Sequence, residues 1–393
     1  MKIAIDAMGG DHAPRAVVEG AILAAKERRI DLVLIGDEPL IRAELARHQF
    51  EGVTISVVHT DEVVGMDESP AIAMRKKKHA SIKVAIEMMG KGEANAVVSA
   101  GNTGATLAAS ILVLHPIRGI DRPAIATLIP TLNGPSILLD VGANVDCKAS
   151  QLFQFGIMGH VYARYILKKS RPRIGLLSIG EEDGKGNDAT KKAFQLLKNT
   201  SLHFIGNVEG KEVFQGLADV VVCDGFTGNV ALKIGEGFAE MFERILRDAF
   251  SQSLRTKFAY LLMKPFFRDF KKRLDYAEYG GAPLLGVNGI CIIGHGRSSP
   301  KAIKNAIYLA EEFLRHDINL HIKQGVEQIM GEMQDGKFSK GTFWQHLKDT
   351  ITFGPSREKV DGKEQVKNGS EERGDHEAKE PKELPRSDQK NLE

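Results

Sequence analysis

Residues 97–106 read "VVSAGNTGAT", and "LAASILVL" follows at 107–114. A short apolar run empties into Ser, Gly, Asn, Thr and Gly, then restarts as a helix-like segment. A turn that only reverses the chain needs one or two such residues. A strand-to-helix loop that approaches a ligand closely wants most of them small. The strand, glycine loop and helix together form the repeating unit of an α/β protein.

Working outward, the unit recurs. "KIAIDA" reads as a strand and "PRAVVEGAILAAKERR" as a helix. "DLVLIG" and "VTISVVH" are further strands, with "EPLIRAELARH" a helix between them. "SPAIAMRKKKHASIKVAIEMMGKG" reads as one helical region. "ANAVVSAG", "ILLDVGA", "RIGLLSIG" and "DVVVCDG" are apolar throughout, as strands covered on both faces are. The pattern predicts a doubly wound, three-layer αβα fold on a mostly parallel sheet, with a closed (β/α)₈ barrel as the alternative.

Composition sets limits. The 393 residues are 42% hydrophobic and 26% charged, with formal net charge +2. No global basic coat for nucleic acid is present. Cys147, Cys223 and Cys291 form no CxxC pair, so no zinc knuckle or disulfide framework is expected. "MKIAIDAMGGDHAP" lacks a signal-peptide core, and no apolar run reaches the roughly 18 residues of a membrane span. A cytoplasmic location is expected. Residues 354–393 are charged and lack aromatics, and read as a disordered tail behind a catalytic domain spanning 1–350.

Other strand ends resemble the opening stretch: "DAMGGDHAP", "DVGANVDCK", "SIGEEDGKGND", "CDGFTGNVALK", "YGGAPLLG" and "GHGRSSPKAI". In a parallel sheet these ends share one edge, where open α/β folds bind ligands. Helix starts offer free N–H groups and partial positive charge, so an anion fits. Gly10, Ser99, Gly101 and Gly104, and then Gly225 and Gly228, would form its cradle. Single glycines of this kind are equally explained as tight turns. Neither a GxxxxGK[ST] loop nor a GxGxxG after the first strand appears, so a nucleotide cofactor is not expected. Asp6, Asn144, Glu181, Asp183 and Asp224 could orient donors, hold Mg²⁺ or simply cap turns. Lys185 and Lys233 could supply positive charge, and His12 and His295 could move protons. No HExxH, GxSxG or Cys/His signature is present.

Within 251–276, Leu254, Phe258, Leu261, Leu262, Phe266 and Phe270 recur at helical spacing among dense Lys and Arg. Such a segment suits a membrane interface, an acidic partner or packing on a second subunit. Pro265 is expected to break or kink it into two, giving a helix or helical hairpin. The run "RKKKH" at 75–79 reads as a solvated helix face.

Taken together, "IDAMGGDHAP", "SAGNTGA", "DVGANVDCK", "GEEDGKGND", "CDGFTGNVALK" and "EYGGAPLLG" closely resemble the bacterial phosphate acyltransferases of phospholipid synthesis, over about residues 1–330. The resemblance implies transfer of a long-chain acyl group from acyl carrier protein to inorganic phosphate. The acyl phosphate then feeds a membrane acyltransferase that acts on glycerol 3-phosphate. It also implies an isocitrate/isopropylmalate dehydrogenase-like fold and a homodimer at the membrane periphery, with no metal or other cofactor. Phosphate is itself the nucleophile, which suits the missing Ser and Cys signatures. On this reading Asn102, Thr103, Thr227, Asn229 and Lys233 contact phosphate or the oxyanion, and His12 and His295 transfer protons. A phosphotransacetylase-like enzyme using acyl-CoA and a non-catalytic membrane scaffold are the alternatives.

Overall fold

The computed structural model describes residues 1–274 and 278–334, with side chains of 268–274 and 333–334 outside the described set. The tail expected at 354–393 and the end of the expected catalytic domain lie outside the described residues.

The strands are β1 (Lys2–Asp6), β2 (Asp31–Gly36), β3 (Ile55–His59), β4 (Ala96–Ser99), β5 (Ala124–Ile129), β6 (Ser136–Leu139), β7 (Ile174–Leu177), β8 (Phe204–Val208), β9 (Val220–Val222), β10 (Ala282–Leu285) and β11 (Cys291–Ile293). They form one open sheet in the order β3-β2-β1-β4-β11-β10-β5-β6-β9-β7-β8. Its two ends are distinct strands, so the barrel alternative does not hold.

Side chains on each strand alternate between two cores, as a pleat requires. Ile3, Ile5, Ile137, Leu139, Val220 and Val222 face one core with α1 (Arg15–Glu27), α6 (Ala149–Tyr165) and α11 (Pro300–Arg315). Ala4, Leu138 and Val221 face the other, with α3 (Pro70–Lys76), α4 (Ser81–Gly90) and α5 (Thr103–Leu114). Apolar residues on both faces are why these strands read as unbroken hydrophobic runs. Phe153, Phe155 and Tyr162 of α6 are fully buried, each worth about 1.5–3 kcal/mol for an apolar side chain of that kind.

The sheet is mostly parallel, but β10 pairs antiparallel with both β11 and β5, and β5 pairs antiparallel with β6. Three reversals turn the second half around. Strands β6, β9, β7 and β8 therefore run opposite to β1, β2, β3, β4 and β11. This corrects the expectation of one ligand-binding edge. The loops after β1, β4 and β11 lie at one edge, and those after β6, β7 and β9 lie at the other. Nothing in the apolar runs encoded strand direction.

Two further expectations change. The helical region at 69–92 divides into α3 and α4, separated at Lys77–Ala80. Also, α10 (Leu254–Leu274) runs through Pro265 as one helix. Its partner is the preceding α9 (Gly225–Ser251), which it meets through Phe250, Tyr260 and Phe267, with ring centroids 5.1–5.7 Å apart. Among the described residues no helix is long and apolar enough to cross a membrane.

Candidate functional site

At the first edge the loops after β1, β4 and β11 are tied together. Asp6 at the end of β1 is buried, and its carboxylate accepts from Ser99 Oγ at 2.7 Å and from the Met8 amide at 3.3 Å. Ser99 Oγ accepts in turn from the Gly101 amide at 3.0 Å. The Asp11 amide donates to Gly296 O at 2.8 Å, and the Gly294 amide to Ser99 O at 2.7 Å. Burial pushes the Asp6 carboxyl above its usual value, against the hydroxyl and amide donors that favour its charge.

The glycines here are steric requirements. A Cβ on Gly9 would sit 2.5 Å from Asp6 Oδ2 and 2.7 Å from the Gly101 nitrogen. Gly10 has φ +103° and lies against the carbonyls of Gly296 and Ala100, so a side chain there would be strained and crowded.

Helix α5 starts at this edge. Asn102 is its N-cap, its Oδ1 accepting from the Ala105 amide at 3.0 Å. Its Nδ2 donates to the carbonyls of Gly65, Met66 and Glu68 at 2.9–3.1 Å. The Asn102 side chain is thus engaged on both ends, tying the 65–68 loop to the start of α5. The amides of Thr103 and Gly104 have no hydrogen-bond partner among the described residues. Thr103 is exposed, Ser99 is buried, and Gly104 packs against Pro70. His12, Arg15, His295 and Arg297 are exposed around this rim, and His295 Nδ1 accepts from the Arg297 amide at 3.1 Å.

The opposite edge is built differently. Buried Asp140 accepts from the amides of Ile125, Ala143 and Asn144 and from Asn144 Nδ2, all at 2.8–3.0 Å. Burial nevertheless pushes its carboxyl upward. Asn144 Nδ2 also donates to Pro123 O, and Asn144 O accepts from the Gly225 amide at 2.7 Å. At the start of α9, Asp224 accepts from both the amide and the hydroxyl of Thr227 at 2.8 Å, and the Gly228 amide donates to Asp224 O. Gly225 and Gly228 admit the 140–144 loop at distances no Cβ would allow. A pocket of ≈ 270 Å³ lies here, lined by residues including Asp146, Cys147, Asn187, Thr190, Asp224 and Phe226. Burial, then the charges of Asp140, Asp224 and Asp146, push the Cys147 thiol up to about 12. That thiol is therefore no nucleophile near neutrality, and the field there is negative.

The remaining sequence candidates separate further. Glu181, Asp183 and Lys185 are exposed on the loop after β7; Asp183 pairs with Lys198 at 2.6 Å and Glu181 with Lys211 at 3.8 Å. Asn229 is exposed, and Lys233 pairs with Glu236 at 2.8 Å on the α9 surface. Leu254, Phe258, Leu261, Leu262 and Phe266 are exposed on α10, while the Phe270 side chain lies outside the described set. Sequence reasoning missed the 65–68 loop and Arg297. The first has ordinary turn composition, and only the Asn102 contacts reveal it. Among the described residues no group of three or more His, Cys, Asp or Glu could hold a metal ion.

The open mixed sheet between helices defines a class of α/β fold shared with a phosphotransacetylase from Streptococcus pyogenes. That structure aligns with a TM-score of 0.54 at 17% identity, over 83% of this chain and 94% of its own, a likeness of fold alone. The sequence then places this chain more finely. It belongs to the family described as "Fatty acid synthesis protein", whose model matches residues 1–321. It is 53% identical over 327 residues to the Phosphate acyltransferase of Geobacter sulfurreducens, covering 83% of this chain and 94% of that one. It is 52% identical over 329 residues to the Phosphate acyltransferase of Pelotomaculum thermopropionicum, covering 84% and 96%.

Proposed function

We infer that this acyltransferase moves a fatty acyl group from a thioester of acyl carrier protein to inorganic phosphate, giving acyl phosphate and free thiol. The observation that carries the activity is the 53% identity along almost the whole length of a protein named Phosphate acyltransferase. The long chain, the carrier-protein donor, the homodimer and the membrane contact rest on the sequence resemblance.

Geometry supports placing phosphate at the β1/β4/β11 edge. The two helix starts differ by one amide: α5 leaves the Thr103 and Gly104 amides open, whereas in α9 the Gly225 amide donates to Asn144 O and only the Phe226 amide is open among the described residues. The α5 rim carries His12, Arg15, His295 and Arg297 with one exposed acid, Asp11; the α9 rim carries Asp146, Asp188 and Asp224 with one exposed cation, Lys148. A dianion prefers the former. In this account a phosphate oxygen attacks the thioester carbonyl carbon, and the carbonyl electron pair moves onto oxygen. That oxyanion needs a further preorganised donor beside the amides that hold phosphate. Collapse breaks the C–S bond, and the thiolate takes a proton, from His12 or His295 or from water. With a thiol pKa of roughly 8.5 the leaving group needs little acid help. Asn102 acts through the loop it holds, and Asp6 through Ser99. In this account Asp224 and Thr227 cap α9, and Lys233 is held in a surface pair with Glu236.

The exposed apolar face of α10, with Leu261 61% and Leu262 68% exposed beside Arg255, Lys257 and Lys264, supports peripheral membrane contact. The exposed row Val230, Ile234, Phe238 and Phe242 on α9 offers a second copy an apolar surface. The test of function is to supply palmitoyl carrier protein and phosphate and to trap acyl phosphate with hydroxylamine. Phosphate-dependent hydroxamate is expected; hydroxamate at the same rate without phosphate, or none at all, overturns the assignment.

A further inference from the structure

The stretch "PAIAMRKKKH" at 70–79 holds four cations and no acid, and the function above leaves it unused. The structure makes it more than a solvated face. Ala73 and Met74 of α3 are buried toward α5, while Ile72, at 52% exposure, stands outward with Arg75 and Lys76 three and four positions on. Lys78 is exposed just beyond the helix. Arg75, Lys76 and Lys78 form no ion pair among the described residues. Lys77 alone is engaged, with Glu68 Oε2 and Val63 O, both at 2.6 Å. The neighbouring Glu62 accepts from the His79 amide, which leaves Asp61 and Asp67 as the exposed acids of the preceding loop.

Position matters as much as charge. Pro70, the first residue of α3, packs on Gly104 in the first turn of α5. At 1.5 Å rise per residue, the seven residues of α3 span about 10 Å from Pro70, which packs on Gly104, to the cations at the far end. The 65–68 loop that Asn102 holds leads directly into α3. The acidic rim at the opposite edge would repel the same partner.

We propose that the α3 ridge, Ile72 with Arg75, Lys76 and Lys78, is the docking face for the acidic carrier protein that bears the thioester. This rests on the proposed donor. The apolar residue supplies a central contact and the cations supply steering and register. The carrier's flexible arm then reaches the α5 start from the side.

The test is the triple charge reversal Arg75→Glu, Lys76→Glu, Lys78→Glu, assayed with palmitoyl carrier protein and with S-palmitoyl pantetheine, which has no protein. Circular dichroism and thermal melting confirm the fold. With the carrier donor, kcat/KM falls tenfold or more through KM, consistent with lost steering worth 10–10³ in on-rate. With the pantetheine donor it is unchanged. Wild-type kcat/KM for the carrier falls as salt rises. An unchanged carrier KM overturns the proposal, as does an equal loss with both donors. So does a variant that loses only its binding to anionic vesicles, which would make the ridge a membrane contact. Wild-type enzyme that accepts pantetheine but not carrier thioester disproves the donor reading, and the docking face falls with it.

Discussion

At the residue scale, Asp6 and Gly9 show how closely the candidate site is built. Burial raises the Asp6 carboxyl from its ordinary 3.8. A carboxyl raised by folding contributes stability that is full below that value and lost as pH rises through the folded one. Asp6→Asn removes the ionisation while keeping the shape. Its melting temperature relative to wild type should therefore be higher at about pH 7 than at about pH 4; equal differences at both would show that Asp6 does not titrate with folding. Gly9→Ala places a methyl 2.7 Å from the Gly101 nitrogen and must shift the α5 start. About a hundredfold loss of kcat/KM is expected, the size of effect a displacement near 1 Å produces. The converse holds at the other edge. Asp224→Ala removes a cap worth about 1 kcal/mol and lowers the melting temperature, yet should leave the KM for phosphate unchanged. A raised phosphate KM would return the α9 start to the site. The residue types of both loops were legible in the sequence. Which of them were free to meet a ligand was not, because Asn102, Thr227 and Lys233 look alike as polar side chains until their partners are known.

At the element scale, helix and strand positions followed the sequence pattern closely. The exceptions share a physical origin. Strands β5 and β8, interrupted by polar residues, were not picked out, β10 lies inside the "YGGAPLLG" that was read as a strand end, and β11 was visible only as the run before "GHGRSSPKAI". Pro265 was expected to break or kink α10, and the helix continues through it without a break. Packing also hides in small residues. Gly20 in α1 lies so close to α11 that a Cβ would meet Ile303 Cβ and Pro300 O at 2.6 Å. The same helix pair is joined by Arg28, which bonds buried Glu311 at 2.6 Å. Gly20→Ala gains about 1 kcal/mol of helix propensity but incurs overpacking of about 1–3 kcal/mol. A lowered melting temperature is expected, and a raised one would show that α1 and α11 yield easily. For α10, Leu261→Glu with Leu262→Glu should release the protein from anionic vesicles while sparing turnover in solution; unchanged vesicle binding would refute the membrane contact.

At the scale of the whole molecule, the decisive feature is the reversal at β10, β5 and β6. The sequence shows two sets of similar glycine-rich strand ends, and a purely parallel sheet would have gathered them into one site. The antiparallel pairings separate them instead, and the two edges have opposite character. One has two open helix amides beside His and Arg; the other has a single open amide, that of Phe226, among carboxylates. Strand direction depends on long-range pairing, so no local pattern could have announced it. The central claim is that phosphate meets the α5 start rather than the α9 start. A crystal structure of the enzyme soaked in inorganic phosphate tests this most directly. The account predicts phosphate within hydrogen-bonding distance of the Thr103 and Gly104 amides, beside His12 or His295. Phosphate bound instead among Asp224, Thr227 and Asn229 would contradict it.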